Sequence, residues 1–391
     1  MKSKFLTSAL FPASLMVASC GASTNVETAP IAAGEPVELE DGSPFIAGAL
    51  LDLDEGWGIA VEPGTGNLLI TQKAGSAKYF DPRAGVAKDV SGLPEVAYGG
   101  QGGLGDVEFA PDYETSGTVY LSWAKPDEGA STRAAAGMGT FSCDEEACAI
   151  SDFQQIWQQS VPIESFGHFS HRIAFSPDGT HLFISSGDRM QQTPAQDLSN
   201  NLGTVVRLNL DGTPADGNPF AEMGGASAEI WSYGQRNMLG LDFDAGGQLW
   251  ALEHGPRGGD ELNMVEPGNN YGWPTRSYGE NYNGDPIEDH SADDGFVKPA
   301  IYWNPVIAPG GMVFYSADMF ADWDGQLLVA NLGSQSIVRI ATDASDGSAT
   351  EEARYAFPRR LRDIAVADDG ALWVVEDGGD GRLLRLTPAG E

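Results

Sequence analysis

Positive charge is scarce in this chain of 391 residues. Its 22 lysines and arginines stand against 56 aspartates and glutamates, a net charge of −34. A surface of that sign repels phosphate backbones, which argues against nucleic acid as a partner. The acids are dispersed rather than gathered in a tail, so they read as a solvated face. Histidine is rare, with five in the chain, and cysteine rarer, with three. Beyond the first twenty residues no apolar run approaches the ~18 that a membrane-spanning helix needs.

The N-terminus is different. Lys2 and Lys4 precede an apolar stretch, Phe5 to Ala18, too short to span a bilayer comfortably. It ends in Val17-Ala18-Ser19-Cys20 followed by Gly21. Small residues before a cysteine resemble the lipobox of bacterial lipoproteins, which implies cleavage before Cys20 and a lipid on its thiol. Residues 1–19 thus read as a signal peptide. Residues 20–44, rich in Ala, Thr, Glu and Pro, read as a flexible tether. The expected location is the periplasm or outer membrane of a Gram-negative bacterium, with the membrane touched only through that lipid. Cys143 and Cys148 have no histidine near them, and in an exported protein their spacing reads as a disulfide clipping a surface hairpin.

The 50 glycines and 23 prolines are scattered, and 41% of residues are hydrophobic, which points to a loop-rich all-β protein with ample core. From residue 45 one pattern recurs: an apolar strand, a turn with Pro, Asp or Gly, and a second apolar strand. It appears at Trp57–Ile70, from Leu104 to Leu121, at Arg172–Ile184, at Leu239–Leu252, from Gly311 to Val329, and at Arg362–Val375. A lone hairpin cannot bury its apolar face, so repeated hairpins imply stacked blades. Residues 45–391 are therefore expected to form a six-bladed β-propeller with four-stranded antiparallel blades around a central channel. Loops at one end of that channel would form a cup where polar residues from distant blades meet.

One loop pair carries the densest chemistry: Glu253-His-Gly-Pro-Arg-Gly-Gly-Asp-Glu-Leu-Asn263 and Gly268-Asn-Asn-Tyr-Gly-Trp-Pro274. Its glycines free backbone carbonyls, and Asp260 and Glu261 add the hard oxygens that calcium prefers. From these residues alone, a turn with solvated acids reads equally well. The pair resembles the signature of the PQQ-dependent soluble glucose and aldose sugar dehydrogenases. Four further segments agree in the same order: Gly99-Gly-Gln-Gly-Gly-Leu-Gly105, Gly167-His-Phe-Ser-His-Arg172, Ser232-Tyr-Gly-Gln-Arg-Asn237 and Arg360-Leu-Arg-Asp363. The resemblance runs from about Phe45 to Leu386.

The resemblance implies oxidation of an aldose at C1 to a lactone, with PQQ and calcium as cofactors and an external electron acceptor. It assigns His168 as the base that takes the anomeric proton, a role that suits imidazole. Arg236, Arg360 and Arg362 would grip the carboxylates of PQQ, as planar guanidinium groups do well. The competing partner for such arginines is a neighbouring aspartate such as Asp363. Gln101, Asn237 and Tyr282 match neutral cofactor contacts. The carbonyls of Gly255 and Pro256 match ligands of the calcium beside the quinone, and Glu261 and Tyr271 match a second, structural calcium site. Trp303 is a candidate for the cup wall, with core packing as the other reading. Asp188 is a candidate for the channel, with a turn role beside it.

Two departures stand out. Asn331-Leu332-Gly333 lies where family members often carry Ser-Leu-Lys, so a cofactor-binding lysine is missing. His171 occupies a position that is usually small. The other readings of the chain are a metal-dependent, lactonase-like hydrolase and a non-catalytic binding propeller, since a fold alone does not decide function. Monomer and homodimer are both compatible with the sequence.

Overall fold

The computed structural model describes Met1 and residues 30–390; Cys20 and residues 2–19 of the expected signal peptide lie outside them. The described chain is all-β apart from short helical turns. Each hairpin expected from the sequence forms the inner two strands of an antiparallel unit. Gly56–Val61 pairs with Leu68–Gln72, and the unit continues through Ser76–Asp81 and Val86–Ser91. The same order recurs from Leu104–Phe109, Ser170–Phe175, Met238–Phe243 and Pro309–Phe314. By hydrogen bonding these strands form sheets of five, eight, four, four and four strands. The eight-stranded sheet is two antiparallel units joined through a short parallel pairing, Cys148 to Val90 and Ala149 to Ser91.

The sheet that begins with Leu361–Val366 is closed by the other end of the chain. Phe45–Leu53 lies antiparallel to Gly381–Pro388, and the Ala389 amide donates to the Pro44 carbonyl at 2.7 Å. Glu35–Val37 adds an edge strand against Ala47–Ala49. Strand structure therefore begins inside the segment read as a tether, upstream of residue 45.

Inner strands touch in cyclic order, each against the next, and Leu361–Val366 returns to Gly56–Val61. The arrangement is β-propeller-like. Its core lies in layers between adjacent sheets. Leu68, Ile70, Trp373 and Val375 fill one such layer, and Leu182, Ile184 and Val206 fill another. Each of these side chains is fully buried, and burial of one large apolar side chain contributes about 1.5–3 kcal/mol. This packing holds the inner strands rigidly enough for their ends to present side chains in fixed directions.

The Cys143–Cys148 disulfide is present, at the end of the hairpin where the two cysteines face each other across the strands. Among the described residues no helix is long and apolar enough to cross a membrane.

Candidate active site

Where the inner strands begin, a cavity of about 290 Å³ opens at the centre of the ring. Its floor is Trp57 and His171, stacked with ring centres 5.1 Å apart. Close approach of the next strand is possible only because residue 105 is glycine; a Cβ there would lie 2.0 Å from the His171 ring. The His171 Nδ1 meets the Ser122 hydroxyl at 2.8 Å, and burial pushes the imidazole down to about 3. His171 is thus a neutral wall, not a proton carrier.

Beneath the floor, Arg172 closes the channel. Its guanidinium binds Asp106 at 2.7 Å and Asp363 at 2.9 Å, donates to the carbonyls of Leu239 and Gly310, and lies 4.3 Å from the Trp57 ring centre. Asp363 is therefore committed to Arg172 and not to the arginines of the cup.

His168 does not line the cavity itself but adjoins it through Gln101 and Phe169, which do; it is 6% exposed with a φ of +49°. Its Nδ1 lies 2.6 Å from Asp188 Oδ1. Asp188 is fully buried and also accepts from the Trp273 indole at 2.8 Å and from the amides of Met190 and Gln192. Burial alone would raise its carboxyl. The bond from His168, the Arg236 charge and the Trp273 donor outweigh burial and hold it below the usual carboxylate range. Burial, helped by Arg236 and Arg189, holds the imidazole below its ordinary value despite the pull of Asp188. The result is a neutral ring at neutral pH with its proton on Nδ1, leaving Nε2 as an acceptor. The Gln101 side chain receives the His168 amide at 2.6 Å.

Cations line the cavity too. Arg360 and Arg362 both reach the cavity, and both hold Asp377, at 2.8 Å and 2.6 Å. Burial raises the Asp377 carboxyl, but the two arginines overcome it and keep the group ionised. Lys73 joins them, 3.3 Å from Glu55. Leu332, from the segment that lacks the family lysine, lines the same cavity. Lys73 thus adds a third cation to the cavity, from a different part of the chain. Asn237 also lines it.

Arg236 lies just outside this lining. It donates to the His254 carbonyl at 3.0 Å and sits 5.3 Å from the Trp273 ring centre and 6.0 Å from that of Tyr282, which is 71% exposed. Its buried Nε has no partner among the described residues. His254 lines both this cavity and a smaller adjoining one with Gly255, Pro256, Glu253, Glu261 and Tyr271. There, burial raises the Glu261 carboxyl well above its ordinary value, and the neighbouring Glu253 raises it further. Asn263 Oδ1 is buried nearby without a partner among the described residues. Two buried acids and an orphaned carbonyl oxygen suit a hard cation. Asp260 instead secures the loop, accepting from the amides of Gly255 at 2.9 Å and Ala308 at 2.6 Å. No group of three His, Cys, Asp or Glu with metal-binding geometry occurs among the described residues, so backbone carbonyls would have to complete any site.

Of the residues expected from the sequence, Gln101, Asn237, Arg360 and Arg362 line one cavity, and His168 adjoins it through its bond to Gln101. Arg236, Gly255, Pro256, Glu261 and Tyr271 gather next to it. Trp303 does not join them: it is buried in the core between sheets, its indole bonded to Glu351 at 2.7 Å. Lys73 and Asp377 were not legible as site residues, because neither stands in a motif.

A β-propeller-like ring with a histidine–aspartate pair and a cationic wall at its mouth belongs to a known class. A family model described as Glucose / Sorbosone dehydrogenase matches residues 53–385, and the chain belongs to that family. It is 36% identical over 341 residues to the aldose sugar dehydrogenase YliI of Escherichia coli, covering 86% of this chain and 91% of that protein. The crystal structure of the soluble aldose sugar dehydrogenase from Escherichia coli in the apo form superposes with a TM-score of 0.82 at 36% identity, over 88% of this chain and 99% of that one. The PQQ-bound aldose sugar dehydrogenase from Streptomyces coelicolor superposes with a TM-score of 0.70 at 28% identity, over 87% of this chain and 97% of that one.

Proposed function

We propose that this protein oxidises aldoses at C1 to lactones, using PQQ and calcium and passing electrons to an external acceptor. The observation that carries this reading is the buried His168–Asp188 pair, joined through Gln101 to a cavity walled by Lys73, Arg360 and Arg362. A base and a set of cations suit a hydroxylated substrate and a polycarboxylate cofactor respectively.

When bound, PQQ supplies the two-electron acceptor and calcium the Lewis acid that polarises it. The chain supplies the rest. His168 Nε2 takes the proton of the anomeric hydroxyl, and Asp188 stabilises the imidazolium that results; a well-placed general base contributes about 10²–10⁴-fold. Arg360, Arg362 and Lys73 would hold carboxylates, as would Arg236 through its free Nε. Gln101 and Asn237 would add neutral contacts, and Tyr282 a rim contact. Gly255 and Pro256 would offer carbonyls to the calcium near the cofactor, with Glu261 and Tyr271 at a structural one. Oxidising the anomeric carbon of a ring sugar gives a lactone directly.

The cyclic order of inner strands supports six blades, with the joined eight-stranded sheet supplying two of them. A hydrolase reading would need a metal held by several carboxylates at the channel centre. Arg172 fills that place and takes both Asp106 and Asp363. Export as a lipoprotein through Cys20, with a tether that leads into the edge strand Glu35–Val37, remains our reading of the N-terminus.

The test is dye reduction by the purified protein with calcium, PQQ and a panel of aldoses. Activity that needs PQQ and vanishes in His168→Ala supports the proposal. Lactone hydrolysis without PQQ would support the hydrolase instead, and a saturating cofactor that leaves the protein's absorbance unchanged would leave only a binding role.

A further inference from the structure

Next to Asp188 lies an arginine that the dehydrogenase reading does not use. Arg189 is fully buried, yet no carboxylate lies within ion-pair distance among the described residues. Its donors all go to neutral oxygens. Nε donates to the Gly167 carbonyl at 3.0 Å. Nη1 donates to the Thr132 carbonyl at 2.9 Å and to Gln159 Oε1 at 3.3 Å. Nη2 donates to Thr132 Oγ1 at 2.8 Å and to the Ser165 carbonyl. Its guanidinium carbon lies 3.7 Å from the Phe169 ring centre. Five acceptors thus meet the five N–H groups that a guanidinium carries.

A buried charge without a counter-ion is costly, and burial pulls Arg189 down to about 9. Such a feature persists where it fixes something that apolar packing would not. What it fixes is a strained segment. His168, Ser170 and His171 have φ of +49°, +59° and +57°, and Arg189, Met190 and Gln192 have +55°, +63° and +61°. These are left-handed conformations that side chains other than glycine adopt only under constraint. The two segments face each other. The Arg189 amide donates to the His168 carbonyl, and Gly187 is so close that a Cβ there would lie 2.0 Å from the same oxygen. Gln159 extends the clamp by donating to Ser186 Oγ and the Gly187 carbonyl, each at 3.0 Å.

We propose that Arg189 is a positioning residue, whose five-fold clamp on residues 132, 159, 165 and 167 holds His168 in its left-handed turn so that the ring meets Asp188 and presents Nε2 to the cavity. The role rests on the dehydrogenase reading only in taking His168 as the base.

The test uses the full-length protein, first without cofactor. Proton NMR of the wild type should show a downfield imidazole Nδ1–H from the His168–Asp188 bond, absent in His168→Ala. In Arg189→Met, judged folded by near-UV circular dichroism, that signal should be lost to exchange. On loading with PQQ, kcat should fall about 30-fold or more, since a displacement of an ångström can cost 10²-fold, while cofactor affinity and the KM for sugar stay near wild type. Arg189→Lys keeps the charge but offers three donors instead of five, and should recover no more than about a tenth of the wild-type kcat. A folded Arg189→Met with the signal intact and kcat near wild type overturns the proposal.

If Arg189→Met does not fold, Thr132→Val decides, because it removes one acceptor and leaves the charge. A broadened signal and a kcat reduced several-fold support the clamp, and both unchanged overturn it. Should the wild type itself lack PQQ-dependent activity, the dehydrogenase reading fails, while the NMR comparison still decides what Arg189 does to the ring.

Discussion

His168 Nδ1 and Asp188 Oδ1 lie 2.6 Å apart in a pocket closed to water on the carboxylate side. The pair fixes the tautomer of the imidazole and supplies the charge that steadies it once protonated. Asp188→Asn keeps the shape and removes that charge. We expect kcat to fall about 10²–10³-fold with PQQ affinity little changed, which steady-state kinetics and a cofactor titration would show.

The pH profile carries a second prediction. A base works when deprotonated, so kcat/KM should fall on the acid side as His168 takes a proton. Its depressed pKa places that limb below the ordinary histidine value. Asp188 raises the imidazole pKa, so Asp188→Asn should move the limb to still lower pH. A limb that moved upward would contradict the assignment.

Lys73 gives a third. If it takes over the missing family lysine, Lys73→Met should weaken PQQ binding about 5- to 30-fold, the scale of one charge-assisted contact, with little change in kcat at saturating cofactor. Isothermal titration at low and high salt would check it, and the loss should be smaller at high salt.

The acidic cavity beside the cup gives a fourth. Calcium bound to the folded state alone should raise the melting temperature in a concentration-dependent way, by about 2.7 kcal/mol of stability at a hundredfold excess over Kd. Glu261→Gln should abolish that response while leaving the metal-free protein folded. Its removal of a buried acid held far above its ordinary pKa should even stabilise the metal-free form near neutral pH.

Arg172 gives a fifth. Arg172→Met strands Asp106 and Asp363 in the channel, and leaving a buried charge unpaired costs about 3–5 kcal/mol. Both carboxyls have raised pKa values through burial, so the folded state binds protons more readily than the unfolded one. The variant's stability should therefore recover as pH falls, and urea unfolding at several pH values would reveal that trend. Combining Arg172→Met with Asp106→Asn and Asp363→Asn should restore much of the loss.

The hairpins were legible because alternation and turn chemistry are local, and each one expected from the sequence is found as the inner pair of a unit. Partners across the ring were not. Whether Arg362 faces Asp363 or Asp377 depends on which way successive side chains point at a bulge between Leu361 and Asp363, which no spacing rule fixes. Trp303 was open to two readings, cup wall and core, and the structure takes the second, because its short strand is the fourth of its unit. Lys73 follows a strand with no motif around it, so only the folded ring brings it into the same cavity as Leu332. Asp188 was visible as a candidate. Its bond to His168 required the loops to be in place.

The seam that joins the two ends has a bearing on biosynthesis. Phe45 waits opposite Pro388, so an early strand must stay unmatched until translation is nearly complete. A chain cut short by even its final strand would leave an open arc with exposed edges, prone to sticking to other copies. Late closure also brings Phe45 beside Pro388, so that joining the chain there and opening it at an exposed turn elsewhere would move the seam to another sheet.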